Sequence, residues 1–156
     1  MRKIKLIFTG RSQEGFMAEG LRLYQEKLKH YCEFEVVFVK ESKYLDGQLE
    51  KSLFKEAERI GKTFSKNSFK ILLDERGRQM DSIELADWFR GMAGKGISEL
   101  EFVVGGAYGV HQEIKDKVDG LVALSRMTLN HQVARLVLLE QLYRCFTIIK
   151  GQKYHH

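Results

Sequence analysis

The chain has 156 residues, 44% hydrophobic and 30% charged, which excludes a disordered polymer and fits one globular domain over residues 1–156. Its formal net charge is +5, and the excess gathers at one end: from Arg126 onward, Arg126, Arg135, Arg144, Lys150 and Lys153 meet one acid, Glu140. No apolar run approaches the roughly 20 residues that cross a bilayer, the apolar part of 1–8 is too short for a signal peptide, and Cys32 and Cys145 form no metal or redox pair, so no membrane partner and a reduced, cytoplasmic location are expected.

Ile4–Phe8 reads as the first strand. Ser12 is placed to cap a helix that runs to about His30, with Phe16, Leu23 and Tyr24 among its apolar positions. Phe34–Val39 is a second strand and 40–47 a polar loop. Gln48–Ile60 is helical, with Leu49, Leu53, Phe54, Ala57 and Ile60 on one stripe and Gly61 past its end. Phe69–Leu73 is a third strand and Asp74–Arg78 a turn. Ser82 is placed to cap a helix carrying Ile83, Ala86, Trp88 and Phe89, which ends near the glycines of 91–96. Leu100–Val104 and Leu121–Leu124 are further strands, with helical character between them over Val110–Val118. Asn130 is a good N-cap for a last helix from His131 to about Lys150, with Gly151 beyond it. With no proline in the chain, turns rest on Gly, Asn, Asp and Ser. Strand and helix alternate, and several strands are continuous apolar runs. The expected fold class is therefore α/β, a mainly parallel sheet with helices on both faces.

The last helix is apolar most of the way round, from Val133 through Leu136–Leu139, Leu142, Tyr143, Cys145, Phe146, Ile148 and Ile149. Such a helix is either buried within the subunit or shared with a second copy of the chain, and a symmetric homodimer is the simpler supply of a second apolar face. The basic C-terminal end suits a polyanion such as nucleic acid, or is solvated surface charge.

The chemistry points to Phe102-Val103-Val104-Gly105-Gly106-Ala107-Tyr108-Gly109. A strand, a glycine loop and a helical segment in that order let a ligand approach bare backbone; the same residues also make an unliganded tight turn. The spacing is not G-x-G-x-x-G. About 20 residues on, where a dinucleotide fold places an acid, stands Ser125-Arg126, so only an NADP-type reading survives there. The loop follows the fourth strand rather than the first, and no P-loop lysine follows it. No HExxH, paired-cysteine zinc spacing or GxSxG occurs, and no metal is expected. His131 opens a helix, where the dipole disfavours its protonated form, a place that suits a structural histidine as well as a catalytic one.

Four segments together resemble one family: Ile71–Gly77 (ILLDERG), Phe102–Gly109, Leu124–His131 (LSRMTLNH), and Leu139–Arg144 (LEQLYR) with the terminal Tyr154-His155. They are similar to the RlmH family of ribosomal RNA large-subunit methyltransferases, of the SPOUT class, and the resemblance covers the whole chain. It implies a C-terminal trefoil knot, S-adenosylmethionine as methyl donor, and a homodimer. It also implies methyl transfer to N3 of a pseudouridine in helix 69 of 23S rRNA on the assembled 70S ribosome.

By the same resemblance the donor falls at Leu73, at Gly105, Gly106 and Gly109, and along Leu124, Ser125, Arg126, Met127, Thr128 and Leu129. The substrate side falls at His131, Arg135, Tyr154 and His155. Arg135 would meet a phosphate or base carbonyl, Tyr154 a flipped nucleotide, and His131 or His155 would assist loss of the N3 proton. Asn130 and Ala107-Tyr108 stand where relatives commonly carry proline, and the chain ends at His156 where relatives often carry a further basic residue. The competing readings are a SPOUT enzyme for another RNA such as tRNA, a non-catalytic α/β module for RNA or nucleotide, and an NADP oxidoreductase.

Overall fold

A computed structural model describes residues 1–11, 15–43 and 47–154. Ser12 and His155 lie outside the described residues, as does the side chain of Phe16. The elements are β1 (Lys3–Thr9), α1 (Phe16–Lys29), β2 (Glu33–Val39), α2 (Leu49–Gly61), β3 (Phe69–Gln79), α3 (Ser82–Gly94), β4 (Glu99–Val104), α4 (Gln112–Lys115), β5 (Gly120–Ala123) and α5 (His131–Ile149). The five strands form one sheet in the order β2-β1-β4-β3-β5, and every pairing is parallel.

Alternation along β1 builds both layers. Ile4, Leu6 and Phe8 point to one face and pack with Leu21 and Leu28 of α1, Phe89 and Met92 of α3, and Leu138, Leu139 and Leu142 of α5. Ile7 points to the other face, where Ala57 and Ile60 of α2 and Ile114 of α4 cover Leu72 and Val103. A strand covered on both sides has no polar face, which is why β1 and β4 are mostly apolar.

Two charged side chains interrupt those runs. Lys5 and Glu101 are in register on neighbouring strands, both buried, and their Nζ and Oε1 lie 2.7 Å apart. The Lys5 ammonium also donates to Thr63 O at 2.7 Å and Ser65 Oγ at 3.0 Å, and Ser65 N–H donates to Glu101 at 3.0 Å. The pair thus ties the segment after α2 to the two central strands. Burial opposes the Glu101 charge, but Lys5 and Ser65 overcome it and hold the carboxyl below its ordinary range.

Several boundaries differ from the sequence reading. The stretch Asp74–Arg78 is not a separate turn but part of β3, which shifts register there. Val122 of β5 partners Leu73 and then, after the shift, Arg78, with Gln79 opposite Ala123. A local turn signal is overridden by pairing with a distant strand. The N-cap of α3 is Asp81 rather than Ser82: its Oδ1 accepts from the N–H groups of Ile83 and Glu84, both at 2.8 Å. The Glu84 carboxylate returns to Asp81 N–H at 2.8 Å, a reciprocal capping box. Ser82 instead donates its hydroxyl to Gln141 of α5 at 2.7 Å.

Helix α4 is a single turn rather than the whole of Val110–Val118. Gly61 is the last residue of α2 rather than the residue beyond it. On α2 the buried stripe is Ser52, Leu53, Glu56, Ala57 and Ile60; Leu49 and Phe54 lie outside it and are exposed, as is Ile83 on α3. Helix α5 begins as expected, with Asn130 Oδ1 accepting from Gln132 N–H at 2.8 Å, and ends before Gly151, whose φ is 63°. It is not covered all round. Leu138, Leu139, Leu142, Cys145 and Phe146 are buried, whereas Val133 is exposed and Leu136, Val137, Tyr143, Ile148 and Ile149 are half-buried. No described helix is long and apolar enough to cross a membrane.

Candidate active site

The C-terminal ends of β3, β4 and β5 surround a cavity of about 470 Å³, within the range of small-molecule sites. Open α/β sheets place ligands beyond the carboxyl ends of their strands. Leu73 to Arg76 of β3 form one wall, the glycine loop a second, and the segment from Leu124 to Leu129 a third, with Val104 and Val122 between them and His131 and Ala134 of α5 at one end. Of the residues expected to hold the donor, Leu73, Gly105, Gly106, Gly109, Leu124, Ser125, Met127, Thr128 and Leu129 line this cavity; Arg126 is not part of its lining.

The glycine loop folds back on itself. Gly109 N–H donates to Gly106 O at 3.1 Å, and the two residues form an antiparallel bridge. Gly109 takes a φ of 76°, a conformation open to glycine. At Gly105 the constraint is space: a Cβ there would lie 2.9 Å from both Gly109 O and Val110 Cγ1. The facing segment is pinned by Ser125, whose Oγ accepts from Met127 N–H at 2.9 Å. Tyr108 and Met127 stand exposed on the lips of the cavity.

The β3 wall depends on Gly77. A Cβ at that position would sit 2.5 Å from Val122 N and 2.6 Å from Leu121 C, so β3 bends directly against the backbone of β5. Asp74 braces the same bend. Its Oδ1 accepts from Arg76 N–H at 2.9 Å and its Oδ2 pairs with Lys115 Nζ of α4 at 3.1 Å. The Arg76 N–H, then Lys115, hold the Asp74 carboxyl below its ordinary range. Asp74 and Lys115 both line the cavity but lie far apart in sequence, and no local pattern joins them. Gly77 carried a usable signal, because a glycine inside a strand marks a close backbone approach.

The residues expected on the substrate side do not gather at the cavity. His131 lines it; burial, then the Arg135 charge, lower the imidazole pKa, with Glu41 opposing. Arg135, expected to reach a phosphate or base carbonyl, is instead wholly buried. Its guanidinium lies 5.0 Å from the Phe8 ring centre and bonds the backbone carbonyls of Thr9 and Arg11. A further bond goes to Gln132 Oε1 on its own helix, and Arg135 is not part of the cavity lining. Tyr154 packs 4.8 Å from the Tyr143 ring and 4.8 Å from the Arg144 guanidinium, with its hydroxyl 3.4 Å from both Tyr24 and Glu140. The Tyr24 hydrogen bond, with burial, raises its pKa. Along α5, Tyr143 is about 18 Å from His131 at 1.5 Å per residue.

Residues 2–155 match the model of a family described as predicted SPOUT methyltransferase. The chain belongs to the SPOUT methyltransferase family. Among its SPOUT relatives named "Ribosomal RNA large subunit methyltransferase H", the protein of Syntrophotalea carbinolica is 42% identical over 154 residues, covering 99% of each chain. That of Geotalea uraniireducens is 38% identical over 154 residues, again with 99% of each chain covered. That of Halothermothrix orenii is 39% identical over 157 residues, covering 98% of this SPOUT chain and 99% of its own.

Proposed function

We propose that this chain is a cytoplasmic ribosomal RNA methyltransferase that uses S-adenosylmethionine to methylate N3 of a pseudouridine in helix 69 of 23S rRNA, on the assembled 70S ribosome. The observation that carries the reading is the glycine-loop cavity at the ends of β3, β4 and β5, in a chain of the SPOUT family whose full-length relatives bear a ribosomal RNA methyltransferase name.

The cavity fits the donor. The bare Cα of Gly105 lets the loop close on Gly109 O and Val110, which keeps the loop backbone at the cavity wall, and Leu73, Leu124 and Leu129 offer an apolar slot for a purine ring. When bound, S-adenosylmethionine supplies a methyl group activated by its sulfonium. The protein's task is then mostly alignment, with the accepting nitrogen held about 3–3.5 Å from that methyl. His131, kept neutral by its surroundings at the cavity end, would take the N3 proton. Arg126, exposed beside the cavity, would add positive potential toward RNA phosphate.

The half-covered apolar side of α5 supports a homodimer, in which a second copy would bury Val133 and its neighbours. In such a dimer the tail bearing Tyr154 and His155 would serve the nucleotide side of the partner's cavity, since Tyr154 stands far from its own. The C-terminal trefoil knot belongs to the same reading and rests on membership of the SPOUT family.

The decisive test is methyl transfer to 70S particles lacking the modification, to free 23S rRNA and to tRNA, with mass spectrometry of the product. The expected product is one N3-methylated pseudouridine on 70S particles alone. Methylation of tRNA instead, or no transfer despite donor binding, would replace the reading with one of its rivals. The cavity assignment has its own check: Gly105→Ala is expected to weaken S-adenosylmethionine binding at least ~10-fold, about 1.4 kcal/mol, by calorimetry. An unchanged affinity would move the donor elsewhere.

A further inference from the structure

The environment of Arg135 is unusual for a guanidinium. It is wholly buried, and burial lowers its pKa while Glu41 is the acid that opposes this. Burying such a charge is expensive unless its hydrogen bonds are made. Here Nη1 and Nη2 find backbone carbonyls on either side of Gly10, Thr9 O and, at 3.3 Å, Arg11 O, while Nε is buried without a hydrogen-bond partner among the described residues. A third bond reaches Gln132 Oε1 at 3.2 Å, beside His131. Gly10 has a φ of 102°, which carries the chain sharply out of β1 and turns both carbonyls toward one planar fork. A Cβ on Gly10 would stand 3.6 Å from Arg135 Nη2 and 3.7 Å from Glu41 Oε2. Arg11, at the far end of this turn, is exposed and makes no ion pair among the described residues. His131 and Arg135 are one helical turn apart, so the cavity end and the β1–α1 turn are braced through one side chain.

We propose that Arg135 is a positioning residue, which holds the turn Thr9–Arg11 against the head of α5 and so presents Arg11 to RNA phosphate beside the His131 end of the cavity. The proposal rests on the methyltransferase reading above. It divides labour between two arginines: the buried one shapes the edge and the exposed one touches the nucleic acid. The fork geometry matters, because an ammonium cannot span both carbonyls as a guanidinium does.

The test is a double-mutant cycle in the full-length protein, with Arg135→Met, Arg11→Ala and the pair, assayed for methylation of 70S particles and for S-adenosylmethionine binding by calorimetry. Each single variant is expected to raise KM for the particles about 10-fold, with kcat and donor affinity within about 2-fold, and the pair is expected to be no worse than Arg135→Met alone. Arg135→Lys is expected to fall between Arg135→Met and the unaltered protein. Multiplying effects in the pair, or a loss confined to kcat, would overturn the proposal and make Arg135 a substrate contact.

Should Arg135→Met fail to fold, the Arg135→Lys and Arg11→Ala cycle decides by the same criterion. Hydrogen exchange supplies a readout independent of methylation: the amides of Gly10 and Arg11 are expected to exchange faster in Arg135→Lys than in the unaltered protein, and unchanged rates would overturn the proposal. A protein that neither binds S-adenosylmethionine nor modifies 70S particles would defeat the functional reading, while the exchange result would still judge the role of Arg135.

Discussion

Gly77→Ala is expected to lower stability by about 3 kcal/mol, a fall in Tm of roughly 6–12 °C, and to abolish measurable S-adenosylmethionine binding. The new methyl would stand 2.5 Å from Val122 N and 2.6 Å from Leu121 C. Both are backbone atoms of a paired strand, so no rotamer change relieves the clash, and β3 must move away from β5. That movement displaces Leu73 and Asp74, which form one wall of the cavity, and separates Asp74 from Lys115. Thermal melting and calorimetry on the same sample give both numbers. A variant with unaltered Tm and donor affinity would show that β3 does not lie against β5 as described.

Lys5→Met and Glu101→Leu, each alone, are expected to cost about 3–5 kcal/mol, and the double variant to recover most of that loss. Each single change strands a buried charge whose partners were Thr63, Ser65 and the opposite member of the pair. Changing both leaves an apolar contact between β1 and β4 and no orphaned ion. Simple addition of the two costs in chemical denaturation would mean that the two charges are not coupled. The pair also has a pH signature. The Glu101 carboxyl ionises below its ordinary range in the folded protein, so its contribution is present above the ordinary glutamate pKa and is lost as pH falls through the lowered folded value. Glu101→Gln is expected to remove that part of the acid-unfolding transition.

The strands were readable because burial on both faces leaves a mostly apolar run, as in Ile4–Phe8 and Leu100–Val104, each broken by a single charge. The start of α5 was readable because Asn130 caps it through a bond two residues away, and its end because Gly151 can adopt a positive φ. The cavity was readable in outline, since the glycine loop and the segment Leu124–Leu129 sit at strand ends, where α/β sheets keep their ligands.

Other features were decided across long stretches of chain. Asp74–Arg78 looks like a turn by composition, yet it stays in β3 because Val122 pairs with both sides of it. Lys5, Glu101 and Arg135 are all buried, and the groups that meet their charges come from dozens of residues away in the chain. Tyr154 packs against Tyr24, Tyr143 and Arg144, away from the cavity of its own chain.

Amino-acid order by itself therefore determined the α/β alternation, the two ends of α5 and the glycine loop, all of which depend on contacts within a few residues. Only the tertiary structure decided which strand edges meet, which charges go inside and which expected site residues share a cavity. Those outcomes depend on pairing free energies between segments distant in the chain, and no local pattern carries them.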